Sequence, residues 1–156
     1  MLIKNIVQED FVNYKKPSMF IAFPFCSFKC ERECGIKCCQ NSPLAQMPNI
    51  EVSIDAIVEA YLNNDITKAI VFGGLEPFDS FDDVYALIKA FRERTNDEAI
   101  IFTGYNKEEI AQQIILLRQF PNIIIKYGRF IPGDKPHRDE LLGVDLSSSN
   151  QYAERI

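Results

Sequence analysis

Short apolar runs rich in β-branched and aromatic residues alternate along the chain with longer segments whose apolar positions recur at helical spacing. A short continuous apolar run suits a strand buried on both faces, and recurrence at i, i+3, i+4 and i+7 suits an amphipathic helix. Strands are therefore predicted over residues 19–23, 68–72, 99–102 and 122–126. Ile54, Ile57, Val58, Tyr61 and Leu62 mark a first helix, which Ser53 can cap. Phe81, Val84, Leu87, Ile88 and Phe91 form the stripe of a second, with Ser80 as its cap and Asp83 three residues on. Asn106 and Glu109 repeat that arrangement before Ile110, Gln113, Ile114 and Leu117, and Pro121 closes this third helix. Strand and helix in alternation make βα units and a mainly parallel sheet.

With 156 residues, 47% of them hydrophobic, the chain suits one compact domain, residues 1–156, with a real core. A complete eight-unit barrel takes about 250 residues, so the expected fold is α/β, a partial βα barrel whose sheet stays open on one side. After Lys126 the regular pattern gives way to a polar tail, residues 128–156, punctuated by Gly128, Pro132, Gly133, Pro136 and Gly143. The net charge of −5 argues against the clustered basic surface that a nucleic-acid partner requires. Residues 1–16 mix charges among their apolar positions, and no stretch approaches the roughly 20 apolar residues of a membrane helix. A cytoplasmic protein without a membrane partner is expected.

The chemistry begins with the cysteines. Cys26, Cys30, Cys34, Cys38 and Cys39 are the only five, whereas a disulfide scaffold would spread them to close long loops. Crowded thiols point to a metal. Their spacing contains neither a Cys-x2-Cys pair nor a ferredoxin run, so by itself it leaves a four-cysteine zinc site level with an iron–sulfur cluster. Three thiolates on a [4Fe–4S] cubane would leave one iron open to a substrate. Gly73 and Gly74 follow the strand ending at Phe72, where ligands of open α/β sheets bind, and Glu76 beside them can hold a cation. A diglycine alone is more often a plain strand-to-helix connection. His137, the single histidine, lies in a polar segment and reads as an exposed loop residue.

Taken together, these segments resemble a known family. Cys26-Ser27-Phe28-Lys29-Cys30 with Cys39-Gln40-Asn41 is similar to the cluster loop of radical S-adenosylmethionine enzymes, although eight residues separate Cys30 from Cys39 where two are usual. Gln40-Asn41 favours Cys39 as third ligand; Cys34, nearest to the usual spacing, and Cys38 compete with it. Gly73-Gly74-Leu75-Glu76-Pro77 resembles the family's Gly-Gly-Glu-Pro motif with Leu75 inserted. Ile101-Phe102-Thr103-Gly104-Tyr105 resembles the Tyr-Thr-Gly-Tyr segment of anaerobic ribonucleoside-triphosphate reductase activating proteins. So do Gly128-Arg129-Phe130 and the ending Ser148-Ser149-Asn150-Gln151, although Tyr127-Gly128 stands for that family's Asp-Gly and Asp145-Leu146-Ser147 for its Arg-Gly. The ordered resemblance runs from about Phe20 to Gln151.

The resemblance implies an oxidoreductase in which Cys26, Cys30 and Cys39 hold a [4Fe–4S] cluster whose open iron chelates S-adenosylmethionine. Asn41, Gly73, Gly74, Glu76, Pro77, Thr103 and Gly104 would line the cofactor site, the Gly-Gly-Glu-Pro segment meeting the methionine amino group. An electron from a donor such as flavodoxin or ferredoxin would release a 5′-deoxyadenosyl radical. That radical would take a hydrogen atom from a glycine of the large subunit of anaerobic ribonucleoside-triphosphate reductase. An activator of another glycyl-radical enzyme, or a non-enzymatic zinc-binding interaction module, are the alternatives.

Overall fold

The computed structural model describes the whole chain, residues 1–156. It opens with strands β1 (Leu2–Ile3), β2 (Asn5–Asp10) and β3 (Ser18–Phe23), followed by the short helices α1 (Lys29–Cys34) and α2 (Ser42–Gln46). Next come β4 (Ile50–Glu51), α3 (Ile54–Leu62), β5 (Ala69–Gly74), α4 (Phe81–Arg92), β6 (Glu98–Phe102), α5 (Ala111–Leu117) and β7 (Ile123–Tyr127). The tail adds β8 (His137–Asp139), β9 (Val144–Leu146) and β10 (Tyr152–Arg155).

The main sheet has six strands in the order β10-β7-β6-β5-β3-β2. Its four inner strands are parallel neighbours, and both edges are antiparallel: β2 on β3 and β10 on β7. This corrects the expected partial βα barrel, because the sheet is mixed and each of its parallel edges is covered by an antiparallel strand instead of a further βα unit. The N-terminal segment and the tail supply those edges, and 156 residues leave too little chain for the barrel alternative.

Three right-handed crossovers would put α3, α4 and α5 on one face of such a sheet, and that is where they lie. Ile57, Val84, Leu87, Ile88, Phe91, Ile114 and Leu117 pack there against Met19, Ile21, Ile70, Phe72, Ile101, Ile123 and Ile125 in the larger core. The alternate strand residues Ala69, Val71, Ile100 and Ile124 face the other way, under Tyr14, Leu142 and Leu146. Burial on both faces explains why these strands read as unbroken apolar runs. The polar tail therefore supplies a second covering layer, a role its composition does not advertise.

Local signals act largely as chemistry dictates. Ser53 Oγ accepts from the Ala56 amide at 3.1 Å, and Asn106 and Glu109 complete their capping box. Ser80 makes no capping bond, because a 3-10 turn over Pro77–Ser80 precedes α4 and its entry is capped by the Glu76 side chain instead. His137 is half-buried in β8, opposite Leu146 of β9, where the sequence suggested an exposed loop. No helix is long and apolar enough to cross a membrane.

Candidate functional site

The predicted site residues gather at the carboxyl ends of β3, β5 and β6: Cys26 follows β3, Gly73 to Pro77 end and follow β5, Thr103 and Gly104 follow β6, and Cys30, Cys39 and Asn41 stand in the α1–α2 segment after β3. Gly73 and Gly74 are the last two residues of β5, not a turn after it, and pair with Ala22 and Phe23 of β3. Side chains are excluded there. A Cβ on Gly73 would stand 2.9 Å from the Phe20 ring, and one on Gly74, where φ is +79°, would stand 2.9 Å from Ala22 Cα. Leu75, the residue inserted relative to the family motif, is buried, and so is Pro77. The Glu76 amide donates to the Phe25 carbonyl at 2.8 Å, fixing the strand-end loop just ahead of Cys26.

Glu76 is the centre of this arrangement, only 7% exposed. Its Oε1 accepts from Thr103 Oγ1 at 2.7 Å and from the Phe78 amide at 3.1 Å, and its Oε2 accepts from the Gly104 amide at 2.8 Å. Desolvation drives its pKa up to about 7 against the opposing pull of those three bonds. A carboxylate offers about four acceptor positions, so one remains for a further donor. Thr103 and Gly104, which follow β6 directly, supply two of these three donors.

The cysteine loop leans against the same corner. A Cβ on Gly104 would lie 3.3 Å from Cys30 Sγ, so the absence of a side chain there leaves room beside that thiol. Asn41 Nδ2 donates to the Gly74 carbonyl at 2.5 Å, joining the end of the loop to the diglycine. Cys26 and Cys30 are half-buried, and desolvation is the main cause that raises both thiols, Cys26 to about 12. The charge of Cys39 acts on each of them, and that of Cys30 acts on Cys38 in turn, so these four thiols share one electrostatic neighbourhood. Phe28, in the left-handed region at φ +51°, turns the loop between Cys26 and α1 and donates its amide to Cys26 Sγ at 3.2 Å. Phe25 is 49% exposed at the rim, so it is no core aromatic.

Ion pairs and caps hold the loop in place. Arg129, buried to 7% exposure, joins Glu33 of α1 at 2.9 Å and Glu109 at 2.7 Å. Lys29 also pairs with Glu109 and lies 5.0 Å from the Tyr105 ring centroid. Glu31 Oε1 accepts from the Cys38 and Cys39 amides at 3.1 and 2.9 Å, which ties the far end of the loop back to α1. The serine-rich ending braces Arg129 in turn. Gln151 Nε2 and Asn150 Nδ2 donate to the carbonyls of Gly128 and Arg129, both at 3.1 Å, and the Ser148 amide donates to Gln151 Oε1.

Two residues of this corner were not singled out from the sequence. Lys126 is buried, and its ammonium donates only to the Gly128 carbonyl at 3.1 Å. Desolvation lowers it to about 8 while the charges of Glu76 and Cys30 pull the other way. Its one signal was a charged residue ending an otherwise apolar strand. Asp79 accepts from the Ser27 amide and from Tyr105 Oη, bridging the cysteine loop and the segment after β6. Nothing local distinguishes it from a helix-entry acid.

The candidate donors are the five cysteines, a set that an iron–sulfur cluster and a zinc ion can both use. They are all thiols, and no group of three His, Cys, Asp or Glu side chains converges closely enough to hold one metal ion. Neither curated proteins nor solved structures include a match to this chain. The family model described as 4Fe-4S single cluster domain matches residues 18–152, from the first residue of β3 to the first of β10. That match spans the sheet core, the cysteine loop and the closing tail together, and the chain belongs to the 4Fe-4S single cluster domain family.

Proposed function

We propose that this chain is a radical S-adenosylmethionine enzyme that installs a glycyl radical on the large subunit of anaerobic ribonucleoside-triphosphate reductase. One observation carries the reading: segments far apart in sequence meet at one sheet corner, with Glu76 bonded to Thr103 and Gly104, Asn41 bonded to Gly74, and Cys30 against Gly104. Cys26, Cys30 and Cys39 would hold the [4Fe–4S] cluster. With S-adenosylmethionine bound, that group supplies one-electron cleavage of a carbon–sulfur bond and so a carbon radical able to take hydrogen from a glycine Cα.

What the chain itself contributes is binding and exclusion. Glu76 offers its remaining acceptor position to the cofactor's ammonium group, and that positive charge favours the ionised carboxylate over the acid. Lys126, with two N–H donors to spare, balances the anionic part of the same ligand. Gly73 and Gly74 let the ligand reach the backbone, while Asp79, Tyr105 and Arg129 fix the loop against the sheet. An electron donor of the flavodoxin or ferredoxin type would feed the site.

Anaerobically reconstituted protein, given a strong reductant and S-adenosylmethionine, should yield methionine and 5′-deoxyadenosine. Cys26→Ala, Cys30→Ala and Cys39→Ala should abolish that yield together with most bound iron, whereas Cys34→Ala and Cys38→Ala should keep both. Full cleavage by Cys39→Ala would transfer the third ligand to Cys34 or Cys38, and no cleavage by the wild type would end the proposal. Electron paramagnetic resonance of mixtures with candidate glycyl-radical enzymes identifies the partner: a glycyl signal on the reductase supports this choice, and one only on another enzyme replaces it.

A further inference from the structure

Two of the five thiols stand outside the ligand set proposed above and face each other. Cys34 Sγ and Cys38 Sγ are 3.2 Å apart, and both are free thiols. The geometry is built by the backbone. α1 ends at Cys34, Gly35 terminates it in the left-handed region at φ +73° with its amide on the Glu31 carbonyl, and the chain returns so that residue 38 opposes residue 34. Glu31 holds that return through the amides of Cys38 and Cys39. Cys34 is exposed, and the neighbouring surface is an open groove of about 340 Å³ lined by Ser27, Glu31, Arg32, Ile36 and Lys37 among others.

We infer that Cys34 and Cys38 form a redox-active dithiol, separate from the cluster ligands, that takes a low-molecular-weight disulfide as its substrate. A disulfide bond is about 2.05 Å long, so the sulfurs need approach by only about 1.1 Å, within the reach of side-chain rotation at an exposed turn. The reaction is ordinary exchange. One protein thiolate attacks the small disulfide and releases a thiol, then the second protein thiolate attacks the mixed disulfide and releases another. Two cysteine thiols are oxidised to one Cys34–Cys38 disulfide, the small disulfide is reduced to two thiols, and the protons lost by the protein pass to the departing thiolates. Arg32 and Lys37 outnumber the one carboxylate of the groove, Glu31, which itself is engaged by the Cys38 and Cys39 amides, so the lining suits an anionic disulfide such as oxidised glutathione. Oxidation would staple residue 38 to the end of α1, holding the adjacent Cys39 in the place Glu31 already gives it and removing both spare thiols from competition for the metal.

This inference rests on the assignment of Cys26, Cys30 and Cys39 as ligands, and the test separates the two. The anaerobic, cluster-loaded protein is treated with oxidised glutathione, remaining thiols are alkylated, and iron is measured beside tryptic mapping. Trypsin cuts after Lys37, so a Cys34–Cys38 bridge joins peptide 33–37 to the peptide beginning at Cys38. The expected result is that joined pair in most molecules, assigned to Cys38 by fragmentation and absent from Cys38→Ser, with iron retained and the bridge reversed by dithiothreitol. Two alkylated thiols at positions 34 and 38, or a bridge that uses Cys39, overturn the dithiol. If the double variant Cys34→Ser/Cys38→Ser loses its iron, the ligand assignment has failed instead, and the dithiol with it. Iron retained by that variant, with no bridge in the wild type, sinks the dithiol alone.

Discussion

Glu76 is pulled two ways: burial opposes its charge, while donors from Thr103, Phe78 and Gly104 favour it, and burial wins, setting the carboxyl at about 7. An ordinary glutamate titrates near 4.3, so the folded chain holds this proton more tightly than the unfolded one. Its contribution to stability is then fully present below about pH 4.3 and is lost as pH rises through about 7, an effect of roughly 4 kcal/mol. Urea titrations of metal-free protein at pH 5 and pH 8 should therefore give the lower midpoint at pH 8. In Glu76→Gln that difference should shrink, although one amide N–H would now oppose the Gly104 donor and lower stability at both values. An unchanged slope in the variant would place the raised acid elsewhere. The same protonation predicts that S-adenosylmethionine binds more tightly as pH rises through about 7, because only the carboxylate attracts the ammonium. Glu76→Gln should weaken that binding about 10- to 100-fold, the range for losing a hydrogen bond to a charged group, as read by calorimetric titration.

The end of β5 shows how an element is constrained by what it touches. Gly74 combines a positive φ with a Cβ position 2.9 Å from the backbone of the neighbouring strand, whereas Gly133, at φ +77°, has open space around it. Gly133→Ala should cost only the left-handed conformation, about 1–2 kcal/mol. Gly74→Ala should cost that and the displacement of β3, visible as a larger fall in denaturation midpoint; equal losses would show that β3 yields freely. Such elements were legible where the signal was local. The four inner strands, Ser53 and the Asn106–Glu109 box follow from periodicity and capping chemistry, and the cysteine, diglycine and Thr103-Gly104 segments were visible as motifs. What the sequence concealed depends on partners far along the chain. β2 is a largely exposed edge strand with a bulge between Val7 and Asp10, so its alternation is blurred. α1 buries no residue and has no apolar stripe to betray it. Asp79 gains its meaning from Ser27 and Tyr105, and Lys126 from its place beside Glu76 and Cys30, relations that spacing alone does not encode.

At the scale of the whole molecule, the tail does two separable jobs, one for the core and one for the cysteine loop. Leu142 is fully buried with Tyr14 and Leu146 over the strand face that the helices leave bare, and the Leu142 carbonyl accepts from the Lys15 amide at 2.8 Å. Leu142→Ala should therefore behave as a core truncation and cost about 2–5 kcal/mol, a large share of the 5–15 kcal/mol typical of a domain. Arg129 lies at the other end of that layer, held through its carbonyl by Asn150, and reaches across to Glu33 and Glu109. Glu33 and Glu109 are exposed, so their pairs with Arg129 contribute little to global stability. Removing Arg129 instead takes away the tie at Glu33, leaving α1 held through Lys29 and through the Cys30 thiol, which lies beside Gly104 and accepts from the Phe130 amide, and gives the segment carrying Cys30 more freedom to move. Arg129→Ala should thus lower the denaturation midpoint less than Leu142→Ala does, while speeding amide exchange over residues 29–34 and lowering iron retained after reconstitution. Leu142→Ala should show the opposite pattern, with iron per folded molecule unchanged. If the two variants instead lose iron in proportion to stability, the tail acts as a single unit, and the bracing of α1 by Arg129 has no independent effect on the site.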